Sequence, residues 1–455
     1  VTSFTAETRG LPRVVIVGGG FGGLWAARAF RGEPVRVTVI DRTNHHLFQP
    51  LLYQVALAGL APSDITIPIR WALRRDPHAE VVLGEVTGID PESKVVVVDG
   101  PSPARARGGP PCDSTGDASV PAALRIPYDF LILAAGSRHA YFGHDDWERN
   151  APGLKSIEDA LEIRRRFLLA FERAERADTP EERAALSTLV IVGGGPTGVE
   201  LAGTASEIVR KALPRDFRRV DTRRSRIVLI EAGPRLLPTF PEQLGARAKR
   251  DLEELGVEVR LGVPVSAVDA GGVSVGGDRI EARTVFWAAG NAASPLARDL
   301  GAPLDRVGRV MVNEDLSVPG RPEVFVVGDL ALVKRPDGTP LPGVAQVAMQ
   351  GGTHAARNVM RLIRRGPTKP FRYRNLGDMA TIGRNRAVGA FPWGTAQGLP
   401  AWILWLFVHI AQLIGFRNRA IVLIQWAYAY FTFQRGVRLI TASDRMPRKA
   451  LAPQR

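Results

Sequence analysis

The stretch that most constrains this chain is VVIVGGGFGG at residues 14–23, a β-branched run that closes on Gly18, Gly20 and Gly23. An uninterrupted apolar run of this kind suits a parallel strand buried on both faces, and the G-x-G-x-x-G spacing is that of a dinucleotide cradle. Gly18 permits the tight turn, Gly20 lets backbone approach a pyrophosphate, and Gly23 lets the next helix pack on the strand with its N-terminal N–H groups toward the phosphates. Asp41 lies 18 residues past Gly23 at the end of a second hydrophobic run, where a carboxylate can accept from ribose hydroxyls. One copy is weak, because glycine turns also close strands that bind nothing.

The pattern recurs as LVIVGGGPTG at residues 189–198, where Gly193, Gly195 and Gly198 repeat the first spacing 175 residues later. Residues 227–230 then form a second strand ending on Glu231, with the charged stretch 210–226 taking up the longer gap. Glu231 accepts from a 2′-hydroxyl and repels a 2′-phosphate, so this cradle is expected to prefer NADH over NADPH. Arg235, four residues on, can either swing to a phosphate or form a helix or loop salt bridge. LILAAG at 131–136 and VFWAAG at 285–290 read as the strands that close each half, and VFVVGD at 324–329 as a further buried strand. Asp329 at such a strand end can hydrogen-bond a polyol chain, or serve as a turn residue. The expected fold class is α/β with two Rossmann-like dinucleotide-binding domains, followed by a C-terminal helical region.

A chain of 455 residues with 45% hydrophobic content can bury more than one core. Its net charge of +14 suits an anionic partner, whether a membrane surface, a nucleotide or a nucleic acid. Basic residues are scattered and mostly Arg, without an aromatic-spaced basic stripe, so nucleic acid ranks last. The single cysteine, Cys112, excludes an intrachain disulfide and a C-x-x-C redox pair. It falls in the Pro/Gly/Ser-rich stretch 101–121, read as a mobile surface loop. A polar opening with Glu7 and Arg9 leads to the expectation of a cytosolic body without a signal peptide. His45 and His46 lack ligand-spaced partners, are read as hydrogen-bonding residues, and give no metal site. Residues 160–176 have helical spacing and high charge, as expected of a solvated linker helix.

Five stretches, NHHLFQPLLYQVA (44–56), GGGPTGVELAG (193–203), VGDLA (327–331), AQVAMQGG (345–352) and MATIGR (379–384), together with the two cradles, resemble the type II NADH:quinone oxidoreductases. These are single-subunit, non-pumping, two-dinucleotide-domain flavoproteins. The resemblance implies FAD and NADH as cofactors and a membrane quinone, menaquinone or ubiquinone, as acceptor. It implies an FAD domain at 1–150 and 310–366, an NADH domain at 151–309 and a membrane-association region at 367–455. It places Phe21, Gly22, Arg42, Gln54, Ala135 and Gly136 with Gly18, Gly20, Gly23 and Asp41 around the FAD. Gly328, Asp329, Ala345, Gln346 and Val347 join them at the ribityl and ring end. Pro196, Thr197, Ala289 and Gly290 join the second cradle.

The same resemblance makes Glu200, Gln346 and Gln350 the residues that border the flavin ring where nicotinamide and quinone react. Read from the residues alone, Glu200 is also a carboxylate favoured near a helix N-terminus, and Gln346 and Gln350, spaced i,i+4 on one helix face, are equally caps or loop ties. The chain departs from the family at Leu376, where many members carry lysine before the glycine, here Gly377. The expected reaction is hydride transfer from NADH to the flavin and two-electron reduction of quinone. A soluble flavin reductase and a flavin-based redox sensor are the alternatives.

Residues 398–416 and 420–434 are uncharged, aromatic-rich runs joined by Arg417, Asn418 and Arg419. As a helix the second run reaches only about 22 Å, short of the roughly 30 Å hydrocarbon core. In-plane attachment at the cytoplasmic face of the plasma membrane is therefore expected, as a peripheral, monotopic protein. Trp402, Trp405, Trp426, Tyr428 and Tyr430 would sit at the headgroups, and Arg417, Arg419, Arg435 and Arg438 would meet anionic lipid. Packing of the two helices in a homodimer interface is the alternative, and both can hold together.

Overall fold

The computed structural model describes residues 10–99, 123–335, 337–432 and 437–440. The loop at 101–121 with Cys112, the end of the second apolar run and Arg435 lie outside the described residues. Contacts divide the chain into two compact units, the first comprising Val1–Leu47, Thr66–Arg138 and Asn291–Leu376, the second Phe48–Ile65, His139–Gly290 and Gly377–Arg455. Their borders differ from the expected domain limits at 150, 309 and 366. The segment 48–65 clusters with the second unit because buried Arg164 donates to the carbonyls of Val55 and Leu60 within that unit.

In chain order the first unit opens with β1 (Arg13–Val17), α1 (Phe21–Ala29), β2 (Arg36–Asp41), β3 (Ala79–Leu83) and β4 (Phe130–Leu133). The second unit follows with α2 (Ile157–Arg176), β5 (Thr188–Val192), α3 (Pro196–Glu207), β6 (Arg226–Glu231), β7 (Val257–Leu261) and β8 (Thr284–Trp287). The chain returns to the first unit with β9 (Arg321–Val326) and α4 (Ala345–Ile363). It ends in the second with β10 (Asp378–Gly383), β11 (Arg386–Phe391), β12 (Gly394–Gln397), α5 (Gly398–Gln412) and α6 (Phe416–Thr432).

The first sheet has the order β9, β4, β1, β2, β3, all parallel, with Ser317–Val318 antiparallel on its outer edge. The second has the order β7, β6, β5, β8, again all parallel. In each sheet the glycine-rich turn leaves a central strand, β1 or β5, whose apolar residues are buried as a double-faced parallel strand requires. Helices α1 and α4 cross with their backbones in contact, since a Cβ on Gly352 would stand 2.0 Å from the Gly22 carbonyl oxygen. Antiparallel β10, β11 and β12 form a separate sheet on which α3 and α5 pack.

Three expectations need correction. Helix α2 is not a solvated linker: Ile163, Phe167 and Phe171 bury one face, and Arg164 is buried with them. The break between the two C-terminal helices falls at residues 413–415, where Gly415 adopts φ +94°, so Arg417, Asn418 and Arg419 lie inside α6. The aromatic residues of this region do not share one environment. Trp405 is buried, stacks on Trp426 at 5.2 Å, and Trp426 donates to Gln54 at 2.7 Å, while Tyr428 is exposed.

Candidate active site

The first cradle is built by contacts that only glycine permits. Gly18 sits at φ +102°, and a Cβ there would meet the Ala134 carbonyl oxygen at 2.4 Å. A Cβ on Gly23 would fall 1.7 Å from the Gly18 oxygen, whereas one on Gly20 would meet nothing within 4 Å. Gly20 is therefore the open position, at the N-cap of α1 where a phosphate finds free N–H groups. Gly19 is clamped from both sides: its N–H donates to Asp41 at 2.6 Å, and its carbonyl faces the His46 Nδ1 at 3.0 Å. Asp41 also accepts from the Thr43 backbone and hydroxyl, which fixes the carboxylate at the end of β2. Burial pushes the His46 imidazole down to about 4, so it is neutral at physiological pH. The sequence read His46 as a hydrogen-bonding residue, which the bond to Gly19 bears out.

The second cradle repeats the glycine geometry of the first. Gly193 has φ +113°, with a Cβ there 2.7 Å from the Ala288 backbone; a Cβ on Gly198 would stand 1.8 Å from the Gly193 oxygen; Gly195 again faces open space. Gly194 donates to Glu231 at 2.5 Å and accepts from the Leu237 N–H at 2.8 Å, while Glu231 also accepts from Gly233. Pro196 starts α3 at a position where its missing N–H costs nothing. Arg235 donates to the carbonyls of Pro238 and Phe240, a backbone tie within the loop and not the expected salt bridge.

Elsewhere in the first unit Asp329 accepts from the Ser137 hydroxyl at 2.8 Å. Both residues line a cavity of about 100 Å³ with Gly328, Arg309 and Val347. Ala135 and Gly136 form the turn beneath Gly18, and Arg42 projects as an exposed residue past Asp41. Ala345 and Gln346 open α4, with Gln346 half-buried. The Gln350 amide donates to the Arg374 carbonyl and accepts from the Arg374 N–H, each at 2.9 Å, so it acts as the loop tie that the residues alone left open. Leu376, two residues past this tie, is about half exposed.

Gln54 belongs to the second unit. It lines a cavity of about 330 Å³ walled by Trp402, Trp405, Leu406, Leu423, Trp426 and Tyr430 from α5 and α6, and by Thr204, Ile208 and Thr381. Helix α3 reaches this cavity because Gly203 lets it touch β10: a Cβ there would stand 1.6 Å from the Ile382 oxygen. Glu200, one turn earlier, is buried and accepts from the Thr381 backbone, and burial raises its carboxyl well above the usual range. It lies beyond the first turn of α3, so desolvation rather than the helix dipole sets its state. Arg384 closes one end, with its backbone donating to Glu207 at 2.5 Å, its guanidinium to the Ala429 carbonyl, and its charge over the Tyr430 ring. The sequence showed these aromatic residues but not the cavity, which arises from strands and helices far apart in the chain.

Comparisons with known proteins bear on what a chain with two glycine cradles of this kind does. The pyridine nucleotide-disulphide oxidoreductase family matches residues 12–352, and the NDH2 C-terminal domain matches residues 375–435. The type II NADH:quinone oxidoreductase Ndh of Mycobacterium tuberculosis is 42% identical, over 98% of this chain and 94% of its own length. The chain belongs to the type II NADH:quinone oxidoreductases. The Haemophilus influenzae type II enzyme is 29% identical over 84% of this chain and 87% of its own. Plasmodium falciparum NDH2, solved in complex with NADH, shares the fold with a TM-score of 0.82 at 20% identity, covering 95% of this chain and all of that one. This type II oxidoreductase is thus a flavin-dependent enzyme that oxidises NADH and reduces quinone.

Proposed function

We propose that the first cradle holds FAD, the second NADH, and the aromatic cavity the quinone headgroup. The cradles fit their ligands through open space at Gly20 and Gly195 and through carboxylates, Asp41 and Glu231, fixed at the strand ends where a ribose passes. Asp329 with Ser137 offers hydrogen bonds for the ribityl chain. FAD held there would supply the two-electron chemistry that links NADH oxidation to quinone reduction. The protein's part is orientation and proton supply. Glu200 is assigned to proton supply: burial raises its carboxyl well above the usual range, and Thr381, whose backbone donates to it, lines the cavity. Gln346 and Gln350 are assigned to the flavin-ring end of the first unit's cofactor site, Gln350 by bracing residue 374. The FAD assignment extends over 1–150 and 310–366 and the NADH assignment over 151–309, with 367–455 for the membrane.

The carrying observation is that α5 and α6 have two apolar faces. Their Trp402, Trp405, Leu406 and Trp426 line the cavity while Ile403, Phe407, Phe416 and Ile424 are exposed. Apolar side chains on a monomer surface of this density mark a docking face, and a lipid-borne substrate can pass from such a face into the cavity. Among the described residues no helix is long and apolar enough to cross a membrane, which suits in-plane attachment with Arg417 and Arg419 toward anionic lipid. The cytoplasmic face and a homodimer complete the reading.

The test is anaerobic stopped-flow flavin absorbance with NADH or NADPH, followed by a soluble menaquinone or ubiquinone analogue. Fast bleaching by NADH and fast recovery with quinone are expected, with recovery slowed in Leu406→Trp, which fills the cavity, while bleaching is unchanged. Equal slowing of both phases, or an unaffected recovery, overturns the cavity assignment. Preference for NADPH overturns the role of Glu231.

A further inference from the structure

Phe142 is an odd residue in the second unit. Its side chain is 70% exposed and its backbone sits at φ +54°, a region that a bulky residue rarely adopts. Gly143 follows at φ +95°, so the turn carries two left-handed residues in succession. Such outliers persist only where the surroundings over-determine them. Here they do: Tyr141 stacks on Trp287 at 5.1 Å and donates to the Ala151 carbonyl, and the Trp287 indole donates to the Ala140 carbonyl at 3.0 Å. The turn is held rigid so that one exposed ring stands in one place.

That place is the turn after β8. Gly290 has φ +72°, and a Cβ on it would meet the Phe142 ring tip at 2.6 Å and the Ala140 oxygen at 2.9 Å, so the ring lies directly on glycine backbone. The same turn abuts the cradle, because the Ala288 backbone stands 2.7 Å from a Cβ placed on Gly193. The strand order β7, β6, β5, β8 sets the direction: Glu231 ends β6, the cradle leaves β5, and Gly290 follows β8 on the far side. In an open parallel sheet the ligand lies across the carboxyl ends of the strands. A dinucleotide whose adenosine ribose meets Glu231 therefore crosses the cradle and lays its second nucleotide over the end of β8.

We propose that Phe142 is a positioning residue for the nicotinamide half of NADH, its ring forming the fixed side wall against which the nicotinamide nucleotide is seated. This rests on the assignment of the second cradle to NADH. The adenosine half, on the Glu231 side, does not meet the ring.

The experiment measures flavin reduction by NADH in the purified holoenzyme, with ADP as a competitive inhibitor that probes the adenosine half alone. Phe142→Ala is expected to raise the NADH KM about ten-fold, the effect of one aromatic contact. The ADP inhibition constant stays at its original value, the quinone KM is unmoved, and Phe142→Tyr restores the NADH KM. An NADH KM unchanged in Phe142→Ala overturns the proposal, as does an ADP constant that rises in parallel, which is the mark of a merely structural role. Should Phe142→Ala fail to fold, Phe142→Leu, which keeps an apolar side chain but no ring, is read by the same criteria. If ADP does not compete with NADH in the unsubstituted enzyme, the assignment of the cradle fails instead, a result separate from any effect of the ring.

Discussion

Replacing Gly203 by alanine tests how the cavity wall is built. The new Cβ would stand 1.6 Å from the Ile382 carbonyl oxygen, against 3.4 Å for ordinary contact, so α3 and β10 must part by about 1.8 Å. Both partners are backbone, and neither can rotate away as a side chain would. Overpacking of this kind costs about 1–3 kcal/mol, and separation also removes the Thr381 N–H from the buried Glu200 carboxyl, a further cost of about 1–3 kcal/mol. A total near 4 kcal/mol corresponds to a fall of about 10 °C in the melting transition of a unit this size. Differential scanning calorimetry measures it, alongside the two stopped-flow half-reactions. Quinone reduction should slow more than flavin reduction, because Thr204 and Thr381 line the cavity while the cradle begins a full turn away at Gly198. A variant that melts within about 2 °C of the parent with an unchanged quinone KM would refute the claim that backbone contact at Gly203 sets the wall.

Gly195→Ala should do the reverse: its Cβ meets nothing within 4 Å, so the melting temperature holds while the NADH KM rises, and a stability loss without a KM change would contradict the open-cradle reading. Glu200→Gln keeps the shape and removes the titration. Because the folded carboxyl is raised above its ordinary 4.5, its stabilising contribution is present at low pH and lost as pH rises through the raised value, so the variant should gain on the parent in melting temperature toward alkaline pH. A constant difference at all pH values would contradict a buried, protonated Glu200. His46 works in the opposite direction: with its imidazole depressed from 6.5 to about 4, its contribution is complete above 6.5 and lost as pH falls through about 4, an effect of order 3 kcal/mol. Acid unfolding followed by near-UV circular dichroism should be shallower over that window in His46→Gln; an identical acid limb would count against the buried neutral imidazole.

Much of the molecule was legible in one dimension because its signals are local. A glycine spacing, a β-branched run and a terminal acid together specify a strand, a turn and a helix within about 30 residues, and the chain carries that unit twice. Both copies form the strand, turn and helix as read, while the bond from Gly19 or Gly194 to the terminal acid is seen only in the structure. The apolar content of the C-terminal runs was equally plain. Which way those aromatic rings face was not, because Trp405 and Phe407 differ by two residues and by the whole of their environment. Helical phase alone does not say which face is claimed by a strand from elsewhere.

The sequence by itself therefore determined the two cradles, their acids and the family, since each depends on residues close in the chain whose backbone demands are met only by glycine or a β-branched run. Tertiary structure alone decided the rest. It brought Gln54 to the aromatic cavity and Gln350 to the Arg374 backbone, raised the Glu200 carboxyl through burial, and set Phe142 on Gly290 across nearly 150 residues of chain. Those outcomes depend on which distant backbones come close enough to exclude water or a Cβ atom, and such proximity is a property of the packed fold.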